Sequence, residues 1–503
     1  MATSRLDNEI GAPGVPMKSN HWRGLTAALI AIAIACFLVR AAAEIGVSPR
    51  SVWNERSLAP AFVVARGERL YVPKDGGPLL SCIYAPLSAI SYLPAALGDD
   101  PASAIRIGTA ISIVFFILPA AFALFLRRWS WPPVALYLGL GVGSAGVSYS
   151  IFPIHADAPA LGFVGLGAMC LACREGMRWK IAGGTLLMMA AFSKQNYLPV
   201  ALVGPAIVWW SDGLRRAVAC LAGVGGAAIA LLLLSRWLLG NWEDLFFNLV
   251  TVPVGAGFSE RSLVVAVRAL AADMAPALCV SGICLLLILR KHGLAGGAAL
   301  TEAGMMMALS LALWPTSVAG FMKLGGYPNA LAPGVYLAIL AACFAAQPAM
   351  GLGRQIPIGI AVFSVFAAAL AMPVVLAYHR EWKGVPATWS QRAFEYERRH
   401  PGQVYFPANP LASLMASGRT YHMDDGLYCR AVAGYTVSKG QLMRYLPERF
   451  SHVAYIPGGR DLLSRSTNGA LDDRLQPDQP AGLEGWDVVR FIRDASRGGD
   501  HGR

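Results

Sequence analysis

Two charged residues stand side by side at the start of a short apolar stretch. They are Glu55 and Arg56, and Gly67 follows where the stretch ends. The apolar residues between them recur at helical spacing and predict a short amphipathic helix. These residues are Leu58, Ala61, Phe62 and Ala65. A carboxylate in this position can accept the proton of an attacking hydroxyl, and a guanidinium can hold a phosphate. The competing interpretation is that Glu55 only caps the helix, whose first turn favours an acidic residue.

Polar residues also interrupt apolar runs further along the chain. His155 and Asp157 begin one such run, and Lys194 with Asn196 breaks another. A lysine inside an apolar run is costly unless it pairs or reaches water, so we take Lys194 as functional rather than snorkelling. His155 and Asp157 either cap a helix or face the same cavity as Glu55, and we favour the second interpretation.

Four more polar residues complete the set of candidates. Arg69 and Tyr71 follow the amphipathic helix, whereas Lys323 and Asn329 stand in a later Gly-rich segment. An arginine or lysine in such a set can stabilise a negative charge that develops during a reaction. The competing interpretation for Lys323 and Asn329 is simple exposure to water.

The composition places these residues in a membrane protein. Of the 503 residues, 55% are hydrophobic and only 14% are charged, and the mean hydropathy is +0.49. Soluble domains carry about a quarter charged residues. The net charge of +12 is explained by basic loops between apolar runs, so we exclude a nucleic-acid partner.

The apolar runs predict about eleven transmembrane helices, because spans of about 20 apolar residues cross a bilayer. The predicted helices are 25–43, 103–126, 132–151, 157–173, 181–193, 197–210, 217–239, 270–289, 299–319, 329–346 and 355–377. With the N-terminus in the cytoplasm, every basic cluster between helices falls on the cytoplasmic side. These clusters are Arg127-Arg128, then Arg174, Arg178 and Lys180, then Arg215-Arg216, Arg290-Lys291 and Arg354. This arrangement leaves the C-terminus outside the cell membrane.

Two apolar segments are compatible with more than one structure. Residues 79–97 are apolar enough to span, but Pro86 and Pro94 disfavour a straight helix, and a span here would reverse the later clusters. We therefore predict a helix at the interface or packed beneath the first outer loop. The first apolar run follows Arg5, Lys18 and Arg23, and we predict a retained helix rather than a signal peptide, since the run is long.

Two regions are predicted to lie outside the membrane. The first outer loop covers about 44–102, and residues 378–503 form a small extracytoplasmic α/β domain, leaving 1–377 as the transmembrane catalytic domain. Within 378–503, residues 403–406 are strand-like, Asn409-Pro410 favours a turn and the last dozen residues are expected to be frayed.

The nine cysteines follow no metal-binding framework. Cys170 and Cys173 form a lone CxxC, which we interpret as small side chains of a membrane helix, and a disulfide between Cys82 and Cys429 is left open.

The order of several motifs resembles the C-type membrane glycosyltransferases (GT-C). The motifs are Glu55, residues 67–71 (Gly-Glu-Arg-Leu-Tyr), 84–87 (Tyr-Ala-Pro-Leu), 155–159, 193–196 and 325–329. The resemblance is to protein O-mannosyltransferases (glycosyltransferase family 39) and to bacterial lipopolysaccharide sugar transferases, over about residues 20–377. The family has Asp, or Asp-Glu, at the acidic site, where this chain has Asn54-Glu55.

The resemblance implies a reaction. A sugar carried by a polyprenyl phosphate is transferred, usually with inversion, to a glycan, lipid or protein acceptor at the outer face of the cytoplasmic membrane. It implies Glu55 as the base, Asp157 as a group that orients the acceptor or Lys194, and Lys194 as the cation facing the leaving phosphate. Arg56, Arg69, Tyr71, His155, Asn196, Lys323 and Asn329 are then the further donor-binding candidates. A divalent ion held by Glu55 and Asp157 is left open, because some relatives of this fold use one. The family 39-like branch generally does not, so no metal or other cofactor is expected.

Other classes of membrane protein would have different sequence features. A transporter or flippase should show internal repeats and ionisable residues near mid-membrane, and we find no repeat. An O-antigen ligase or polymerase carries its large catalytic loop late in the helix series. An inactive assembly subunit would tolerate replacement of Glu55.

Overall fold

The fold is taken from a computed structural model of the 503-residue chain. The described residues are 19–47, 52–80, 83–173, 176–260, 263–293, 297–370, 373, 388–456, 459–467, 469, 471 and 475–492. Several predictions fall outside them: the basic residues Arg5, Lys18 and Arg174, the partner cysteine Cys82, the domain boundary near 377 and nearly all of the frayed C-terminus.

Helices form at every predicted apolar segment. They are α1 (Ser19–Val47), α3 (Pro101–Phe125), α4 (Trp131–Gly143), α5 (Ala145–Ile151), α6 (Asp157–Ala172), α7 (Met177–Ser193), α8 (Leu198–Asp212), α9 (Leu214–Leu239), α10 (Leu263–His292), α11 (Gly297–Met322), α12 (Ala332–Ala349) and α13 (Gln355–Ala369), with α2 (Val52–Ala65) in the first outer loop. Trp242–Phe246, Phe247–Thr251 and Val252–Gly255 form short helices between α9 and α10.

Six of the described helices are long and apolar enough to cross a membrane. The bent pair α4–α5 adds a seventh if it counts as one span, and α6 and α13 are shorter apolar helices. A multi-pass membrane protein with the predicted helical fold is therefore confirmed, whereas the number of about eleven crossings stays a prediction.

Small residues bring the helices of the bundle into close contact. A Cβ atom on Gly184 of α7 would lie 2.2 Å from the carbonyl oxygen of Cys220 on α9. A Cβ atom on Gly223 of α9 would lie 2.1 Å from the carbonyl oxygen of Ile181 on α7. Lipid tails are as apolar as the helix surfaces, so the hydrophobic effect does not drive membrane helices together. They associate instead through close packing of the kind seen at these glycines.

The break between α4 and α5 is held by Asp273 of α10. The two helices meet at an angle of 89°. The Asp273 carboxylate accepts hydrogen bonds from the backbone N–H groups of Ala145 (2.9 Å) and Gly146 (2.8 Å) and from the hydroxyl of Ser144 (2.9 Å). The two N–H groups belong to the first turn of α5, where backbone donors have no partner within the helix. The bend places α5 beside the N-terminal end of α6.

Residues 79–97 contain no spanning helix in their described part. Leu87–Ile90 forms one turn of α-helix and Leu93–Leu97 a 3₁₀-helix, and both pack against α2. Each is far shorter than the roughly 20 residues that a crossing requires. The prediction of a segment packed beneath the outer loop agrees with this geometry.

Helix α2 differs from its prediction. Its end is as expected: Gly67 has φ +70°, and the N–H groups of Gly67 and Glu68 bond to the carbonyls of Val64 and Val63. However, every residue from Leu58 to Val63 is buried, because α3 and the short helices cover one side and the C-terminal region covers the other. The expectation of one apolar and one water-facing side is therefore wrong.

The C-terminal region is a small α/β unit. Its elements are α14 (Trp389–Arg399), β1 (Val404–Tyr405), α15 (Pro410–Ala416), α16 (Asp424–Val432), α17 (Lys439–Arg444), β2 (His452–Tyr455), α18 (Arg460–Ser466), β3 (Leu475–Pro477) and β4 (Asp487–Phe491). The sheet order is β1-β2-β4-β3, with β1 parallel to β2 and the other pairs antiparallel. The strand predicted at 403–406 is present as β1, but Asn409-Pro410 begins helix α15 instead of forming a turn.

Candidate functional site

Three predicted site residues meet at the ends of three helices. The Nζ atom of Lys194 donates to both carboxylate oxygens of Asp157, at 2.8 and 2.7 Å, and the amide of Asn329 donates to the same carboxylate at 2.8 Å. The exposed fractions are 1% for Asp157 and 8% for Lys194 and Asn329. We call these three residues the Asp157 cluster.

Local backbone features aim the three side chains at one point. Asp157 is the first residue of α6, and Lys194 leaves α7 in an extended conformation (φ −149°, ψ 122°) just after its last turn. Asn329 lies in the 3₁₀ turn Pro328–Ala330 before α12, where proline begins the turn. Charged side chains can be held at helix ends without breaking the apolar surface of the spans.

Aromatic rings lie beside the Asp157 cluster and its chain neighbours. Tyr149 stacks on His155 (5.4 Å between centroids) and on Tyr327 (5.9 Å), and Trp53 meets Tyr327 edge-on. Lys194 lies 5.5 Å from the ring centroid of Tyr84. Such rings offer flat apolar faces and polar tips next to the charged groups.

His155 is neutral in this setting. Burial lowers the pKa of His155 to about 4, with the positive charge of Lys194 acting in the same direction and Asp157 opposing it. Its Nε2 atom is buried and has no hydrogen-bond partner among the described residues. The ring can therefore offer one nitrogen to a further polar group near Asp157.

Glu55 lies on the side of α2 that faces the C-terminal region, away from the Asp157 cluster. It is fully buried, and its carboxylate accepts from the amide of Asn409 (2.8 Å) and the backbone N–H of Leu411 (3.1 Å), the second residue of α15. Its neighbour Asn54 points the opposite way and accepts from the backbone N–H of Ile154, close to His155. This geometry argues against the predicted contact of Glu55 with a substrate.

Burial gives Glu55 an altered acidity. Desolvation raises the pKa of Glu55 to about 7, although hydrogen bonds from Ser390, Asn409 and Leu411 and the charge of Arg56 oppose the rise. A carboxyl group with a pKa near neutrality is suited to proton transfer in a site that substrate can reach. In this structure the raised pKa results from burial of Glu55 in the contact between the outer loop and the C-terminal region.

The other predicted site residues do not join the Asp157 cluster. Arg56 pairs with Asp424 of α16, and the hydroxyl of the fully buried Tyr71 donates to the carbonyl of Tyr84 at 2.8 Å. Arg69 is exposed, and Lys323 donates to the carbonyl of Pro253.

Asn196 lies in the short 3₁₀ turn Gln195–Tyr197 that connects α7 to α8. Its carbonyl accepts from Thr316, and its side-chain oxygen is buried without a partner in the part of the chain that the structure describes. Asn196 therefore joins the connection between α7 and α8 to α11, and it is not part of the Asp157 cluster.

Some neighbours of the site gave no sequence signal. Asp425 of α16 is one of them: burial raises the pKa of the Tyr84 phenol, and the charges of Asp157, Cys429 and Asp425 act in the same direction. Asp424-Asp425 and Asn409 belong to the C-terminal region, roughly 250 to 270 residues after Asp157 in the chain, and nothing in their spacing links them to Asp157. Within the described ranges no three His, Cys, Asp or Glu side chains are grouped to hold a metal ion.

Two solved structures share this architecture over almost their whole length. They are crystal structures of ArnT from Cupriavidus metallidurans, one bound to undecaprenyl phosphate (TM-score 0.58) and one in the apo state (TM-score 0.56). Each is 11% identical in sequence, and the match covers 94% of this chain and 99% of ArnT. The chain has the ArnT fold. The predicted fold class, a polytopic helical membrane protein with a small C-terminal α/β domain, is therefore confirmed.

The same architecture is reached by a very different sequence. No protein-family model matches the chain, and no curated protein matches it. The likeness to ArnT therefore establishes the fold, and the function is argued from the site itself.

The contact between Arg56 and Asp424 gives a first prediction. Both side chains are buried, and Arg56 also stacks 4.5 Å from the centroid of Trp53. Asp424→Asn should destabilise the docking of the C-terminal region by about 3 kcal/mol, because it leaves a buried guanidinium uncompensated. Limited proteolysis of the purified protein measures the effect.

Asp478→Asn is the matched control, since Asp478 pairs with His452 at an exposed site within the C-terminal region. Equal protease sensitivity of the two variants would show that Arg56 and Asp424 do not hold the docked arrangement.

Proposed function

We propose that this protein is a membrane glycosyltransferase of the outer face of the cytoplasmic membrane. It takes a sugar from a polyprenyl-phosphate donor and transfers it to a glycan, lipid or protein acceptor of the cell envelope. The N-terminus lies in the cytoplasm and the C-terminal region outside, as the basic loops predict.

The observation that carries the proposal is the Asp157 cluster within this fold. A lysine held by a buried carboxylate at one end of a helical bundle is suited to bind the phosphate of a lipid whose chain stays in the bilayer. ArnT, with the same fold, has been crystallised with undecaprenyl phosphate.

The chemistry requires a cation for the phosphate and a base for the acceptor. Lys194 turns from Asp157 to the donor phosphate, and Asp157, released, accepts the proton of the acceptor hydroxyl. The acceptor oxygen then forms a bond to the anomeric carbon. The bond from that carbon to the phosphate oxygen breaks, and its electron pair leaves with the polyprenyl phosphate, which Lys194 stabilises. Attack opposite the leaving group inverts the anomeric centre.

Asn329 and His155 act beside these two groups. Asn329 holds one oxygen of Asp157 at 2.8 Å, which fixes the carboxylate after Lys194 has turned away. The buried Nε2 of His155 can accept from, or donate to, a hydroxyl of the sugar. Glu55 then positions the C-terminal region.

The test compares cell-envelope glycans by mass spectrometry in a deletion strain, the parent strain and strains expressing the wild type or Asp157→Asn. We expect one glycan to lose a single sugar in the deletion strain, wild type to restore it and Asp157→Asn to fail. An unchanged glycan profile in the deletion strain would reject sugar transfer and favour transport of a lipid-linked substrate.

A further inference from the structure

A cavity lies at the opposite end of the bundle from the Asp157 cluster. It has a volume of about 640 Å³ and is enclosed by the beginnings of α1, α4 and α13 together with the segment that follows α12. The charge distribution predicts this end to face the cytoplasm. A cavity of this size is within the usual range for small-molecule sites.

The charge of this cavity is positive. Of the described residues that line it, two are arginines, Arg23 and Arg354, and none is acidic. Both arginines are exposed, and neither has a hydrogen-bond or ion-pair partner among the described residues. Three other basic side chains at this end are paired: Arg127 with Glu302, and Lys180 and Arg216 with Asp212.

The backbone adds to the positive character. Helix α4 begins at Trp131 and helix α13 at Gln355, so the first turns of both helices border the cavity. Pro132, Pro133 and Pro357 have no N–H group, so the helices contribute mainly the partial charge of their dipoles and few backbone donors. Helix N-termini carry partial positive charge and favour anions. The two arginines and the two helix ends therefore act on the same space.

The rest of the lining is suited to a lipid. Trp22 and Trp131 are about half exposed, at 52% and 53%, as expected of tryptophans at a membrane interface. Ile30, Pro132 and Pro357 provide an apolar wall. A free phosphate would gain nothing from such a wall, whereas a lipid could lay the upper part of its chains against it.

From these features we propose that the cavity binds the phosphate head of an anionic lipid from the cytoplasmic leaflet. Arg23 and Arg354 hold the phosphate, and the tryptophans flank the head group. The shared chemistry is a phosphate ester on an apolar chain, which both phosphatidylglycerol and a polyprenyl phosphate provide. This proposal does not depend on the sugar-transfer reaction.

Native mass spectrometry of the purified protein tests the proposal. The protein in mild detergent is titrated with phosphatidylglycerol, with undecaprenyl phosphate and with phosphatidylcholine. We expect the two anionic lipids to bind, and Arg23→Gln/Arg354→Gln to weaken that binding by roughly tenfold or more. Arg290→Gln, which removes an arginine at the same end but outside the cavity, should change it by less than about twofold.

A second variant tests the space rather than the charge. A Cβ atom at Gly353 meets nothing within 4 Å, so Gly353→Phe can fill the cavity without straining the fold. Gly359→Phe is its control, because Gly359 is equally open but lies outside the cavity. We expect Gly353→Phe to block the anionic lipids and Gly359→Phe to leave their binding intact.

Three outcomes would overturn the proposal. The first is unchanged lipid binding in both Gly353→Phe and the double arginine variant. The second is a loss of lipid binding in Arg290→Gln and Gly359→Phe as large as the loss in the cavity variants. The third is displacement of the lipids by millimolar inorganic phosphate, which would reassign the cavity to a free anion. A difference between the two anionic lipids identifies the natural ligand.

Discussion

Asp157→Asn should lower the rate of sugar transfer by about a thousandfold or more, because it removes the base and leaves Lys194 without its buried partner. Lys194→Met should cause a comparable loss, since the leaving phosphate then lacks its cation. The measurement is transfer of radiolabelled sugar from a synthetic polyprenyl-phosphate donor by purified protein in lipid. Each rate is normalised to the amount of folded protein.

The chain contains a matched control for this experiment. Lys180 and Asp212 form a second buried lysine–carboxylate pair, in which Lys180 is fully buried and also donates to the carbonyl of Leu171. This pair lies at the opposite ends of its helices from the Asp157 cluster. Asp212→Asn should therefore reduce the yield of folded protein but leave its specific rate unchanged. If both asparagine variants lose rate equally, the Asp157 cluster is structural.

Glu55→Gln should preserve sugar transfer to within about tenfold, because a glutamine can keep a contact with α15 while Asp157 supplies the base. The same substitution should change the pH dependence of the docking between α2 and the C-terminal region. Hydrogen exchange of α2 and α15, measured at pH 5 and pH 8, follows that docking.

The sign of the effect follows from the raised pKa of Glu55. Burial raises it from 4.5 to about 7, so between these values the docked state holds a proton that the open state releases. The resulting stabilisation is fully present below pH 4.5 and is lost as the pH rises through 7, a change of about 3 kcal/mol. Burial raises the pKa of Asp424 to about 6 against the opposing charge of Arg56, and therefore acts in the same direction.

The buried His422 opposes this effect, because it accepts from the backbone N–H of Leu79 across the same contact and burial lowers its pKa to about 4. The two raised carboxyl pKa values outweigh it, so wild type should dock more tightly at pH 5 than at pH 8, and Glu55→Gln should reduce that difference.

Glu397→Gln is a suitable control, because Glu397 is also buried but bonds only to Gly402 and Ser417 of its own region in the described contacts. Should Glu55→Gln lose activity as completely as Asp157→Asn while staying docked, Glu55 is the base after all.

Much of the membrane part was determined by the sequence alone. Helices with unbroken apolar character could be located because burial in lipid leaves the backbone no alternative to helical hydrogen bonding. The polar residues that interrupt such runs were equally visible, since an ionisable side chain there needs a compensating partner. Lys194 and Asp157 were found as candidates for this reason, and their mutual pairing was among the roles considered.

Only the tertiary structure decided what each polar residue contacts. Asn54 and Glu55 are adjacent in the chain, yet neighbouring positions on a helix point in different directions, so one faces Ile154 and the other faces Asn409. The sequence motif could not indicate that α2 is covered on both sides, because the second cover comes from residues more than 300 positions later. For the same reason the partners Asp424 and Leu411 were missed.

The physical distinction is between local and distant causes. Helix positions, the end of α2 at Gly67 and the placement of Lys194 at a helix end follow from hydrogen bonding and solvation within a few residues. Which carboxylate meets Lys194, and which is sealed beneath the C-terminal region, depends on how helices from distant parts of the chain pack together. That packing is set by the shapes of whole helix surfaces, which a single pass along the sequence does not contain.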